Sequence, residues 1–269
     1  MPLIITANLL GIVEGLTEFL PVSSTGHLIL AAELLGYRAD QWATFNVVIQ
    51  LGAILAVIVL YWRTFWTVAT GLFSRDEGAW RFAGNIAVAF LPSAVLGLLL
   101  IDNIEALLGN AILVSIALVV GGIAILMIER LVQPASIEPG VAAIPLRRAL
   151  GIGLIQCLSM VPGVSRSGAT IMGALTLGIE RRTAAEFSFF LAVPTMVGAT
   201  GLSLFKHHDE ISAGGVDWGL IAVGFVVSFL VAIAVIKWFV GIVSRYGFAP
   251  FAWYRIVAGG IALIWLLAR

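Results

Sequence analysis

Six runs of about 20 mostly apolar residues govern what this chain can become; they lie at roughly 43–62, 82–101, 107–128, 185–205, 217–236 and 250–268. An α-helix of that length crosses the hydrocarbon of a bilayer. Strict apolar–polar alternation is missing and the runs are rich in Leu, Ala and Ile, so helices rather than a β-barrel satisfy the backbone. Charged residues make up 11% of the chain and mean hydropathy is +1.08, against about 25% charge in a soluble domain. The chain is therefore read as an integral membrane protein. Net charge is zero and no basic run stands out, which argues against a nucleic-acid partner. The single cysteine, Cys157, excludes an internal disulfide and reads as a packing residue. No Lys or Arg precedes Arg38, so the basic start of a cleavable signal is missing and the apolar segments themselves are expected to target the chain. Trp42, Trp62, Trp66, Trp80, Trp218 and Trp238 fall near segment ends, where an interfacial belt would put them.

Two more apolar regions, 3–35 and 147–178, are broken in the middle by Pro21-Val-Ser-Ser-Thr-Gly and Pro162-Gly-Val-Ser-Arg-Ser-Gly. Each half is short for a span, and irregular backbone at membrane depth persists only where protein or a wet cavity satisfies it. Both are read as helix–loop–helix hairpins that enter and leave on one side. The two halves of the chain also match: Gly11-Ile-Val-Glu-Gly-Leu against Gly153-Leu-Ile-Gln-Cys-Leu, and Ala43-Thr-Phe45 against Ala185-Glu-Phe187, at an offset of 142. Gly26 on Gly168 keeps that offset, with a one-residue slip allowed between the serines before them. One hairpin plus three spans, duplicated, turns the second copy upside down and brings the broken helices face to face near the midplane. The expected fold is all-α: a polytopic membrane protein of six transmembrane helices and two re-entrant hairpins in an inverted-topology repeat. It forms a single membrane domain, 1–269, with halves at about 1–135 and 147–269.

On this topology Arg38, Lys206 and Arg269 lie on one side, and Arg63, Arg75, Arg81, Arg130, Arg147, Arg148, Arg181, Arg182, Lys237, Arg245 and Arg255 on the other. The Arg-rich side is expected to be cytoplasmic, with the long connections 63–81 and 129–146, so that both termini face outward.

Glu14 and Glu18 stand four apart on a helix, about 5–6 Å between Cβ atoms. Two carboxylates so close in a low dielectric call for a shared proton or a cation between them. In Pro21-Val-Ser-Ser-Thr-Gly-His27, the Ser and Thr side chains are plausible helix caps and the helix start offers N–H groups to an anion. His27 follows Ser24 by three residues, within reach for proton exchange. Arg166 is the most informative single residue, because every other basic residue falls at or near a segment end. Its guanidinium can grip a phosphate bidentately, flanked by Ser165, Ser167 and Thr170, or pair with Glu14 or Glu18 to tie the hairpins together. Gln50, Gln156 and Asn85 read as hydrogen bonders between helices, and Lys206-His-His-Asp-Glu210 as a solvated loop more than a metal site.

Taken together, Glu14-Gly-Leu-Thr-Glu18, Pro21-Val-Ser-Ser-Thr-Gly-His27, Pro162-Gly-Val-Ser-Arg-Ser-Gly-Ala-Thr170 and Glu186-Phe-Ser-Phe-Phe-Leu-Ala-Val-Pro194 resemble the bacterial undecaprenyl-diphosphate phosphatases of the bacitracin-resistance type, over essentially the whole chain. The resemblance implies hydrolysis of a C55 polyprenyl diphosphate, recycling the lipid carrier of cell-wall synthesis in the bacterial inner membrane, with the site open to the outer face. It implies catalytic roles for Glu14, Glu18, Ser24, His27 and Arg166, with Ser23, Thr25, Ser165, Ser167 and Thr170 binding substrate. It also implies a divalent cation, Mg²⁺ or Ca²⁺, at Glu14 and Glu18. Ser24 or His27 is the expected nucleophile. The expected partners are the lipid substrate, membrane lipids and a second copy of the chain in a homodimer. The alternatives are a lipid flippase or secondary transporter, whose architecture also uses inverted repeats, and, behind it, a histidine-type acid phosphatase.

Overall fold

In the computed structural model, which describes residues 2–37, 42–132, 140–206, 208 and 217–268, every regular element among the described residues is helical. In chain order these are α1 (Leu3–Thr17), α2 (Ser24–Leu34), α3 (Ala43–Leu60), α4 (Trp62–Phe73), α5 (Glu77–Leu99), α6 (Ile101–Leu108), α7 (Ala111–Leu131), α8 (Leu146–Gln156), α9 (Arg166–Thr176), α10 (Arg181–Lys206), α11 (Trp218–Tyr246) and α12 (Ala249–Leu267). Helices α5, α7, α10, α11 and α12 are long and apolar enough to cross a membrane, and α3 makes a sixth if it is counted with α4, from which it is bent by 74°. Their outer faces leave Leu91, Val120, Leu230 and Ile261 exposed, a state that lipid chains cover without the cost water would impose. The chain is a multi-pass membrane protein.

Polar caps set where several of these helices begin. Asp76, Asn110 and Asp217 accept hydrogen bonds from the first-turn N–H groups of α5, α7 and α11, satisfying donors that the helix itself leaves unpaired. The hairpins break where the sequence places them, between Thr17 and Ser24 and between Gln156 and Arg166, the latter through a 3₁₀ turn at Cys157–Met160.

Each hairpin's first helix lies against a helix from the other half of the sequence: α1 against α11, and α8 against α5, while α7 packs on α12. These crossings need glycine. A Cβ at Gly11 would come 2.7 Å from the carbonyl oxygen of Gly224, and one at Gly153, 142 residues later, 2.3 Å from that of Ala89. Beneath the hairpin tips, Phe19 and Phe189 meet edge-on at 5.3 Å between ring centres, and Phe239 and Phe251 extend the core.

Four sequence expectations change. Much of the 63–81 connection is helix α4, because Trp62, Phe65 and Trp66 recur at helical spacing and give it an apolar face. The span expected at 107–128 starts at Ala111, after the separate short helix α6. Trp42 is buried between Tyr37 and Phe45 rather than at an interface. Arg255, counted above among the cytoplasmic charges, is 1% exposed inside the protein. Arg38, Arg269, most of the 133–140 linker, and His207, Asp209 and Glu210 lie outside the described residues. Of that last cluster Lys206 is placed: its Nζ donates to Asp102 and Glu105 of α6, both at 2.6 Å.

Candidate active site

The two hairpins turn by the same device. Ser23 and Ser165 both hold positive φ, 72° and 80°, a region that non-glycine residues enter at a cost of about 1–3 kcal/mol. Each then caps the helix that follows: Ser23 Oγ accepts from Gly26 N at 3.2 Å and Ser165 Oγ from Gly168 N at 3.0 Å. Ser23 and Ser165 are also 142 residues apart, so no slip is needed in the alignment of the halves. Backbone strain at two matched positions aims the starts of α2 and α9 into one region, and strain of this kind clusters at functional sites.

There the hairpins are cross-linked. Arg166 Nη2 donates to Glu18 Oε1 at 2.8 Å, and Ser24 Oγ donates to Glu18 Oε2 at 2.5 Å. Both side chains of the ion pair are largely buried, 10% and 3% exposed. Arg166 is steadied from behind by α10, its Nη1 donating to Ser188 O at 2.8 Å and Ser188 Oγ at 3.1 Å. Its Nε has no hydrogen-bond partner and its Nη2 uses one of two protons, so two of the five guanidinium donors remain for a ligand. A cavity of about 430 Å³ adjoins these groups, with Glu18, Ser23, Ser24, Thr25, Ser165 and Arg166 in its wall. Away from the hairpins the wall turns apolar, through Phe90, Leu98, Ile101, Met196 and Leu202. A polar floor with an apolar shaft suits a charged headgroup on a greasy tail.

The family model described as "Bacitracin resistance protein BacA" matches residues 7–261. The chain belongs to the BacA family. It is 64% identical to a Novosphingobium aromaticivorans protein over 272 residues, covering 100% of both chains, and 62% identical to one from Rhizorhabdus wittichii, covering 97% of both. A Sphingopyxis alaskensis relative is 58% identical, again over 97% of both chains. All three carry the name undecaprenyl-diphosphatase.

Against that family background, the structure sorts the residues singled out from the sequence. Glu18, Ser23, Ser24, Thr25, Ser165 and Arg166 meet at the cavity. Ser167 and Thr170 stand behind it: Ser167 Oγ donates to Leu20 O of the other hairpin at 2.7 Å, and Thr170 Oγ1 lies 2.7 Å from Ser188 Oγ. Their hydroxyls hold the frame together instead of facing the cavity. His27 is not in the cavity wall either. Its Nδ1 meets Ser23 O at 2.7 Å and its Nε2 meets Tyr254 OH at 2.8 Å, with the two rings stacked. The expected proton exchange with Ser24 is thus not the arrangement seen; Glu18 is the group on the Ser24 hydroxyl.

Glu14 is fully buried, and neither of its carboxylate oxygens has a hydrogen-bond partner. Glu18 caps the same helix one turn on. Among the described residues no group of three or more His, Cys, Asp or Glu could hold a metal. Two carboxylates fit the Mg²⁺ pattern, in which one or two protein oxygens are completed by water and phosphate, and the unpartnered oxygens of Glu14 are what such an ion would satisfy.

Sequence reasoning missed Arg255. Its Nε donates to Leu118 O, Nη1 to Pro21 O and Val164 O, and Nη2 to Ala117 O and Gly163 O, all at 2.9–3.2 Å. One guanidinium with all five donors used therefore ties both hairpin loops to α7. The claim that Arg166 alone lies away from segment ends fails here. The available signal was that Arg255 falls inside an apolar run, a full turn past Pro250.

Proposed function

We propose that this chain hydrolyses undecaprenyl diphosphate to undecaprenyl phosphate and inorganic phosphate, recycling the lipid carrier for cell-wall synthesis and so conferring bacitracin resistance. The observation that carries the proposal is the Glu18 carboxylate, which takes Arg166 of the other hairpin on one oxygen and the Ser24 hydroxyl on the other. Phosphoryl transfer asks mainly for positioning and charge neutralisation, and these groups supply both. The terminal phosphate sits against Arg166 and the capped starts of α2 and α9. Ser24 Oγ attacks the terminal phosphorus as the bond to the bridging oxygen breaks, its proton passing to Glu18. Water then cleaves the phosphoseryl bond and releases inorganic phosphate. His27 fixes the Ser23 carbonyl, and thereby the strained turn from which Ser24 projects. Glu14 and Glu18 would hold Mg²⁺ or Ca²⁺, which would neutralise phosphate charge.

In the membrane the reading is six spans and two re-entrant hairpins in an inverted repeat, one domain with halves at about 1–135 and 147–269. It sits in the bacterial inner membrane with termini and site outward. The matched Ser23 and Ser165 caps support the repeat, and the place of α6 in the cavity wall, with Lys206 bound to its Glu105, supports an outward mouth. With Arg255 removed, the basic count remains lopsided, 3 against 10, toward the other side. The test is phosphate release from a soluble short-chain polyprenyl diphosphate by the purified protein in detergent. A phosphatase releases phosphate with repeated turnover; a flippase or transporter releases none.

A further inference from the structure

Gln156 closes α8 and is 1% exposed, yet it forms part of the wall of the cavity that holds Glu18 and Arg166. Its Nε2 donates to Ser93 Oγ at 2.7 Å. Ser93 gives its own proton to Phe90 O at 2.9 Å, so its oxygen faces Gln156 as an acceptor and the amide must present its N–H end there. The carbonyl end is therefore the one left over, and Oε1 is buried without a partner. Buried acceptors in that condition are rare and costly. Gln156 also stands 142 residues after Glu14, whose own oxygens are unpartnered. The two halves thus place a bare oxygen acceptor at the same hairpin position, charged in one and neutral in the other.

We propose that Gln156 is a further substrate-site residue, its Oε1 accepting a hydrogen bond from an oxygen that bears hydrogen: a water, or the hydroxyl of a protonated terminal phosphate. An amide oxygen has lone pairs and no proton, so a fully ionised phosphate oxygen is repelled there and a protonated one or a water is held. Being neutral, it does this without adding negative charge beside a diphosphate. The proposal rests on the phosphatase reading above and names a residue of that same site.

The experiment measures steady-state phosphate release from a short-chain polyprenyl diphosphate by the full-length protein in detergent, for wild type, Gln156→Leu, Gln156→Glu and Ser93→Ala. Gln156→Leu is expected to lower kcat/KM by about 10-fold or more, and Ser93→Ala, which frees the amide that Ser93 orients but leaves its oxygen in the site, by a smaller factor. A fall in kcat at constant KM assigns the acceptor to a water; a rise in KM at constant kcat assigns it to the phosphate hydroxyl. Gln156→Glu keeps the side chain's size. Its activity relative to wild type should fall as its carboxyl ionises and recover as pH is lowered, which a packing role would not produce. Gln156→Leu within twofold of wild type, Ser93→Ala more impaired than Gln156→Leu, or a flat pH ratio for Gln156→Glu overturns the proposal. Should Gln156→Leu fail to fold, the pH ratio of the isosteric Gln156→Glu decides alone. Wild type without turnover removes the phosphatase reading and this proposal with it; a wild type that turns over beside an unimpaired Gln156→Leu removes this proposal only.

Discussion

Replacing Arg255 with methionine keeps much of the side chain's length and removes every hydrogen bond it makes. The five carbonyls it serves are not equivalent. Ala117 and Leu118 lie within α7, whose own ladder uses their oxygens too, whereas Pro21, Gly163 and Val164 are loop residues with Arg255 as their hydrogen-bond donor. Three buried carbonyls left bare, at about 1–3 kcal/mol each, is partly offset by not having to bury the guanidinium charge. A net loss of about 3–5 kcal/mol, the usual cost of removing one member of a buried charged network, is expected. For a chain of this size, roughly 2–4 °C per kcal/mol gives an apparent Tm lower by about 10 °C. The assay is thermal unfolding of the purified protein in one detergent at one scan rate, followed by circular dichroism at helical wavelengths. Phosphate release at a temperature where both proteins stay folded should also fall, since the loops that aim α2 and α9 lose their common tether. Arg255→Lys is expected to fall between, with three donors in place of five. A methionine variant with wild-type Tm and wild-type turnover would refute the reasoning.

Four further outcomes follow from the site. Ser24→Ala should lower kcat by about 10³-fold and abolish any trapped phospho-enzyme, measured with labelled substrate and acid quench; near-normal turnover would exclude Ser24 as nucleophile. Ser167→Ala removes a bond between hairpins, and a contact with Ser165 Oγ at 3.1 Å, from a residue that does not itself line the cavity, so about 1 kcal/mol of stability should go while KM holds within about twofold, by thermal unfolding and steady-state kinetics. A chelator should abolish phosphate release and added Mg²⁺ restore it in wild type. Glu14→Gln should need more Mg²⁺ for half-maximal activity, read from titrations of activity against metal.

Much of this was legible in the sequence because lipid leaves few choices. Long apolar runs can only be helices there, and the proline- and serine-rich breaks at Pro21 and Pro162 had to be shielded turns. The offset of 142 already set Glu14 against Gln156 and Gly11 against Gly153. Pairing of Glu18 with Arg166 was foreseeable in kind, since two buried opposite charges in one apolar chain need each other. Directions of side chains were not. Ser167 and Thr170 share a motif with Ser165 and Arg166, but Ser167, one residue past Arg166, turns to Leu20 of the other hairpin, while Thr170, one turn on and on the same face as Arg166, is taken up by the Ser188 hydroxyl that also accepts from Arg166. His27 was expected at Ser24 by spacing alone; Tyr254, 227 residues away, competes for its ring. Arg255 went unseen because a charge near the start of a span looks like an anchor until the helix that carries it is known to pack on α7 beside both loops.

A double-mutant cycle across the hairpins tests the shared pocket most directly: kcat/KM for wild type, Glu18→Gln, Arg166→Gln and the double variant, with a short-chain polyprenyl diphosphate. If Glu18 and Arg166 work as one unit on a common phosphate, the double variant should be about as impaired as the worse single one, a coupling of about 2 kcal/mol or more. Losses that simply add would mean that the two hairpins act on different ligands, and would contradict the site described.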